Sequence, residues 1–382
     1  MANGIVKKDW SANFTLIGTP VVNDYTYKID QHSERSSWIY NSLNLGIDCG
    51  EKYGTVYAEC MGGYSDEREN VIYVHGKDEN GNDDFDNRFE VAWEDRFNDE
   101  IIETIGDMCF MTVGLEQTMQ GNTYYKKFLS AYDAIAYIKE HLTSDMVVNV
   151  RGNLKYSIYQ ENVQTRKEIN SIVLSKVDDP SKYVARFTQS VLIDKDSASL
   201  KNIDRDKGVM YVDAIVLDYL KEYNGVEVRG QFPYNKQFEF EMDFSNQEQC
   251  KKIVNKLFKV KKGITQITFE GVFVEGGATV RATWDDVPDD IKELVEMGIY
   301  DEEEALAKCS ANGSRERRMV LKKPMIKLVG DDKIPTLQKF DERYTEDDLV
   351  LDCMNAKDDG DSLIDDVDGD SSDDSMDWLN DL

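Results

Sequence analysis

From about residue 38 the chain alternates. In SSWIYNSLNLGIDCG, Ile39, Leu43, Leu45, Ile47 and Cys49 fall on one face of an extended segment, and Trp38, Tyr40, Ser42 and Asn44 on the other. Apolar residues at a period of two predict a half-buried strand. YGTVYAECMGGY repeats the pattern, with Val56, Ala58 and Cys60 inward and Tyr53, Thr55 and Tyr57 outward. Both strands thus carry aromatic residues on the side turned away from the core. The Gly-, Asn- and Asp-rich stretch KDENGNDDFDNRFE that follows reads as a loop.

Over residues 124–142, YYKKFLSAYDAIAYIKEHL, the period changes. Phe128, Tyr132, Ile135, Ile138 and Leu142 predict an amphipathic connector helix. Alternation returns in VVNVRGNLKYSIYQ, where Val148, Val150, Leu154, Tyr156 and Ile158 oppose Asn149, Arg151, Asn153, Lys155 and Tyr159. Gly152 in mid-strand permits the bend expected of the curved first strand of a small closed barrel. Further strands are expected at KEINSIVLSK, YVARFTQSVLI, VMYVDAIVLDYL, GVEVRGQFPYNKQFEFEM and ITQITFEGVFVEGG, with a helix at QEQCKKIVNKLFKVKKG. If Tyr183 and Phe187 share a face with Ala185, they belong to the core. VEVRGQFPY echoes VNVRGNLKY and hints at an internal repeat. After Val287 the pattern turns helical, Asp289, Asp290 and Asp301 marking starts, and then reaches the basic, strand-like RERRMVLKKPMIKL.

These elements predict a mainly β protein with α segments: two OB-like Greek-key barrels, a helical accessory segment and a disordered acidic tail. The expected division is an N-terminal barrel over 1–120, a connector helix over 121–145, a second barrel over 146–285, a helical and basic accessory segment over 286–344, and the tail over 345–382. A chain of 382 residues, 41% hydrophobic, is long enough for that number of domains.

Charge changes the picture. The net charge is −29, and eleven aspartates lie between Asp358 and the C-terminus with no Lys or Arg among them. Such a segment cannot bury enough apolar surface to offset its ordering entropy. The rest of the chain is acidic too, yet its cations are segregated: KKIVNKLFKVKKG holds six lysines and no acid, and RERRMVLKKPMIK six cations and one acid. Each cluster is either a solvated face or the lining of a groove. The six cysteines show no metal or disulfide spacing, no run approaches the roughly 18 apolar residues of a membrane span, and no signal peptide opens the chain. A reducing, cytoplasmic setting is expected.

No phosphate loop, dinucleotide fingerprint, nucleophile elbow or metalloprotease motif occurs, and His32, His75 and His141 look isolated. DENGND and DVDGD lack the ligand spacing of a calcium loop. A protein without enzymatic activity, cofactor or metal is expected, although no feature rules out a pair of carboxylates binding magnesium in a nuclease. What remains is cations and aromatic rings on strands. Cations track phosphates and rings lie under bases when single-stranded nucleic acid is bound. Trp38, Tyr40, Tyr57, Arg151, Lys155, Tyr159, Lys176 and Arg186 are the candidate DNA-binding residues.

Strand-rich modules with outward rings and cations, no catalytic motif, and the ending DDSMDWLNDL resemble the single-stranded DNA-binding proteins of replication, particularly those of tailed bacteriophages. The resemblance is to the plan of the whole chain. It implies OB-fold barrels, binding of single-stranded DNA without strong sequence preference in replication or recombination, and a location in the host cytoplasm. It also implies a monomer or weak oligomer, and a tail whose Trp378, Leu379 and Leu382 recruit replication proteins once DNA displaces the aspartates from the cationic groove. The rival reading is an acidic interaction or virion-scaffold protein, which needs no row of cations and rings.

Overall fold

The computed structural model describes residues 5–355 apart from 35, 161, 276–278, 281–283, 285–286, 298–310, 313–316 and 331–332. The chain is mainly β with few helices. The alternating segments form β1 (Ala12–Val21), β3 (Trp38–Asp48) and β4 (Thr55–Ser65), with β2 (Tyr27–His32) on the edge of β3. After an insertion that holds the short helix α1 (Asp99–Ile102) come helix α2 (Ala131–His141), β9 (Val148–Tyr159) and β10 (Asn162–Leu174). β1 pairs with β3, β3 with β4, β4 with β10 in parallel, β10 with β9, and β9 with β1. That ring of five, with a helix between its third and fourth strands, is an OB-like barrel.

A second ring follows. β11 (Val184–Ile193), β13 (Val209–Tyr223), β14 (Val226–Glu241), β15 (Ile264–Glu275) and β18 (Arg317–Pro324) close through β11–β13, β13–β14, parallel β14–β18, β18–β15 and β15–β11. Helix α3 (Gln247–Ile253) again lies between the third and fourth strands and runs into a wider turn at Val254–Phe258. The accessory strands are β12 (Ala198–Asp204) beside β13, the two-residue pair β16 (Thr279–Val280) and β17 (Ala311–Asn312), the hairpin β19 (Ile326–Val329) and β20 (Ile334–Leu337), and β21 (Lys339–Tyr344) on β15.

The two barrels are joined by their first strands. β1 runs antiparallel to β11, Phe14 facing Phe187 and Thr15 facing Arg186. Polar ties cross the same boundary: the Tyr156 amide donates to the buried Asp218 carboxylate at 2.8 Å, the Tyr156 hydroxyl donates to Gln189 at 2.9 Å, and Lys167 pairs with Glu275 at 2.6 Å. One continuous apolar core runs through both rings. Tyr183, Ala185 and Phe187 are all buried in it or beside it.

Several expectations change. The pairings run across the boundaries drawn from sequence, because β9 and β10 complete the first barrel and β18 the second. The helix over 124–142 begins only at Ala131, where Ser130 caps it by accepting from the Tyr132 amide; residues Thr123–Phe128 are β8, paired with β7 (Met111–Gln117). α2 is therefore an internal part of the first barrel rather than a connector. DFDNRFE belongs to β6 (Asp83–Ala92), hairpinned with β5 (Val71–Lys77), and only the Asp78 turn is a loop. Within 286–344, α4 (Asp289–Glu296) is helical, whereas Arg317–Tyr344 is mostly strand. Past residue 345, Leu349, Leu351 and Cys353 are buried in the core. VNVRGNLKY lies in β9, a fourth strand, and VEVRGQFPY in β14, a third strand, so the echo does not mark equivalent positions.

At Gly152 β9 runs close against β10. A Cβ there would meet the Glu168 carbonyl oxygen at 1.8 Å, beside the bulge between Ile169 and Ser171. The contact is with backbone that cannot swing away, so Gly152→Ala should cost about 3 kcal/mol of stability. Denaturant unfolding measures it, and an unchanged midpoint would refute so close an approach.

Candidate nucleic-acid interface

The outer face of β3 and β4 is set by the pleat. Asn41, a polar residue on the inward side, is fully buried and satisfied: its side chain accepts from the Asp30 amide and donates to the Tyr132 carbonyl, tying β3 to α2. The alternate residues look outward. Trp38 stands opposite Ser65, Tyr40 opposite Gly63, Ser42 opposite Met61, Asn44 opposite Glu59, and Tyr57 opposite Gly46. The Tyr57 ring leans over Gly46, where a Cβ would lie 3.1 Å from its edge carbon. Trp38, Tyr40 and Tyr57 are half-buried, and Met61 is exposed. Lys28 of β2, opposite Ser42, extends the same row. Tyr40 and Tyr57 are six residue pairs apart, about 20 Å at the usual strand rise.

Beyond β4 the face becomes a checkerboard of charge. Arg166 lies 3.5 Å from Glu59, and Lys155 lies 3.7 Å from Glu168. Burial pushes the Glu59 carboxyl above its ordinary range, against the pull of Arg166 and Lys167. Lys155 is therefore a partly neutralised cation. Tyr159 sits at the end of β9, where the turn through Gln160, in the left-handed region at φ 46°, leads to β10. Lys176 is exposed in the connection from β10 to β11.

The structure brings Arg151 and Arg186 together. Thr15 of β1 faces Arg151 of β9 on one edge and Arg186 of β11 on the other. Directly opposed residues share a face of the sheet, so the two arginines flank Thr15 on the outer surface of the seam. Both are exposed, and among the described residues no carboxylate pairs with either. The Arg151 Nε donates only to Asn149 at 3.3 Å. Thr15 is the residue that sequence reasoning missed. No local signal marks it, because its role depends on partners more than 130 residues away.

Of the two cationic clusters, the one on β18 is largely neutralised. Arg318 pairs with Glu239, Lys322 with Glu241, and Lys323 with Glu270 at 3.1 Å. The lysines from Lys251 to Lys262 are exposed, with Lys251 paired to Glu248 at 2.9 Å. His75 is not isolated: its Nε2 lies 2.7 Å from Asp83, and the Cys109 sulfur is 3.2 Å from Nδ1 and 3.8 Å from Nε2. Two such similar distances place the sulfur over the ring face, away from the line of a nitrogen lone pair, so this is a packed contact and not a nucleophile with its base. Burial also pushes the Cys109 thiol up. His141 stacks on Tyr137 at 3.9 Å. Among the described residues no cluster of His, Cys, Asp and Glu is arranged to hold a metal, and no helix is long and apolar enough to cross a membrane. Trp378, Leu379 and Leu382 lie outside the described residues.

The chain is similar to the family described as YorF over residues 115–268, a span that takes in strands of both barrels. A comparison with curated proteins finds no match. Two solved structures are similar to it at 10% identity: the wild-type single-stranded DNA binding protein from Thermus aquaticus, covering 70% of this chain and 87% of that one at a TM-score of 0.30, and a deletion mutant of it, covering 69% and 87% at 0.31.

Lys155 supplies a direct test of the checkerboard. Glu168→Gln removes its counter-charge and should strengthen retention on an immobilised polyanion such as heparin. Unchanged elution would mean that Lys155 does not present its charge to solvent.

Proposed function

We propose that this chain binds single-stranded DNA without strong sequence preference, and serves replication or recombination as a protein without catalytic activity. One observation carries the reading: on the outer face of the second and third strands of the first barrel, Tyr40 and Tyr57 each stand opposite a glycine. A glycine partner contributes no side chain of its own between the ring and an incoming base. Those two strands are the surface that OB barrels use for oligonucleotides, and each base stacked on an aromatic ring contributes about 1 to 3 kcal/mol. Trp38, Lys28 and Met61 widen the same row, and Tyr159 stands at the turn joining the fourth and fifth strands, the second oligonucleotide-binding loop of such barrels. Stacking is tolerant of sequence because every base has a π face.

Tyr40→Ala and Tyr57→Ala should each weaken binding of a labelled oligo-dT by about 1 to 3 kcal/mol, measured by fluorescence anisotropy beside a duplex of equal length. Binding that persists unweakened in both variants would move the strand to another face. No binding of single strands by the wild type would favour the acidic assembly protein.

The C-terminal segment has a part in the same reading. Its eleven aspartates compete with DNA for cationic surface at an effective concentration of order millimolar, and Trp378, Leu379 and Leu382 engage protein partners. Deleting residues 358–382 should tighten oligonucleotide binding at low salt and have little effect at high salt. Equal affinity and salt slope for the two proteins would refute the competition.

A further inference from the structure

We infer that one DNA strand crosses both barrels, and that Arg151, Thr15 and Arg186 form a phosphodiester-binding row across the seam. The inference rests on the single-strand reading and goes beyond it, because it makes the joint between the barrels part of the binding site.

The row is built by register. Thr15 faces Arg151 on one edge and Arg186 on the other, so the guanidinium-bearing residues are two strand spacings apart, about 10 Å. Around them the outer seam carries Asn13, Asn149, Asn153 and Thr188, which donate and accept hydrogen bonds and carry no charge. Four cations elsewhere on the barrel walls are held by acids: Arg166 by Glu59, Lys155 by Glu168, Arg318 by Glu239, Lys322 by Glu241. In a chain of net charge −29, two adjacent exposed arginines without a carboxylate partner are an exception. Arginine presents a planar fork of donors suited to phosphate oxygens. Each guanidinium comes from a different barrel, so neither barrel alone makes the row.

The aromatic face leads to it. Gly46, under the Tyr57 ring, pairs on its other side with Val21 at the end of β1. From Val21 to Thr15 the outward positions of β1 are Thr19 and Ile17, a distance of about 20 Å along the strand. A strand stacked on Tyr40 and Tyr57 therefore continues over β1 onto the seam.

The test compares two oligonucleotides, oligo-dT of about 8 and about 30 nucleotides, against a usual site of roughly 4 to 16 per OB barrel. Each phosphate contact on a single strand adds about 0.7 to the slope of log affinity against log salt. The double variant Arg151→Ala/Arg186→Ala should bind the long oligonucleotide about tenfold more weakly at low salt, with a slope smaller by about 1.4. Its affinity for the short one should change less than about twofold. Lys252→Ala/Lys256→Ala removes the same charge from exposed positions on and just beyond α3 and should leave the slope for both unchanged. The inference is overturned if the double variant binds the long oligonucleotide as wild type does, if it loses the short one equally, or if the lysine control loses as much. In each of those cases the effects of Tyr40→Ala and Tyr57→Ala stand independently, whereas failure of the wild type to bind any single strand overturns the function itself.

Discussion

Everything else in this molecule is arranged around the two edges of β1. Along Asn13–Ile17 one edge is hydrogen-bonded to β9 and the other to β11, and beyond Gly18 the chain passes to β3. The switch needs glycine: a Cβ at position 18 would lie 2.0 Å from the Asp48 carbonyl oxygen. With both edges used between Asn13 and Ile17, β1 closes its own barrel and binds the next one, and that stretch has no open edge to pair with other chains. The second barrel is attached by main-chain hydrogen bonds and not through a flexible linker. Its contents are then held in register with the first, which is why residues as distant as Arg151 and Arg186 share one row.

Buried polar groups make the joint specific. Asp218 accepts from the Tyr156 amide across the boundary, and Lys167 meets Glu275 where both are almost fully buried. Such pairs add little net stability over apolar packing, but removing one member leaves an uncompensated charge at a cost of about 3 to 5 kcal/mol. A slipped register at β1–β11 would separate these partners. The ties therefore penalise the wrong docking of two rings that share a connectivity and could otherwise pack in several ways.

Local pattern made much of this legible in sequence. The inward and outward residues of β3, β4 and β9 follow from alternation alone, except Ile158, expected inward and found exposed near the end of β9, and so does the presence of rings and cations on the outer side. Closure was not legible, because whether β9 is the first strand of a new barrel or the fourth of an old one depends on which edge it meets, and Gly152 permits a bend in either case. Pairing across distance also decided the chemistry. The cations of β18 look like a groove lining until Glu239, Glu241 and Glu270 are found beside them, and His75 looks alone until the chain returns at Cys109. Tyr124 and Tyr125 continue a helical period from Phe128, yet their β propensity and pairing with β7 prevail, and the helix waits for its Ser130 cap.

Two rings of one connectivity have acquired different surfaces. On the second barrel the strands equivalent to β3 and β4 place Tyr211 opposite Glu239, Asp213 opposite Gln237 and Ile215 opposite Asn235. An acid or an amide occupies the sites where the first barrel has glycine beside tyrosine, and Tyr219, the exposed ring of this face, stands opposite Gln231. The acidic balance of the chain does not prevent polyanion binding elsewhere, since at physiological ionic strength charges more than about 8 Å away are largely screened. What a phosphate feels is the neighbourhood it enters. At the seam that neighbourhood is two arginines, a threonine and a set of asparagines, bordered by Glu168 opposite Asn153 and Glu270 opposite Thr188, each of them paired with a lysine.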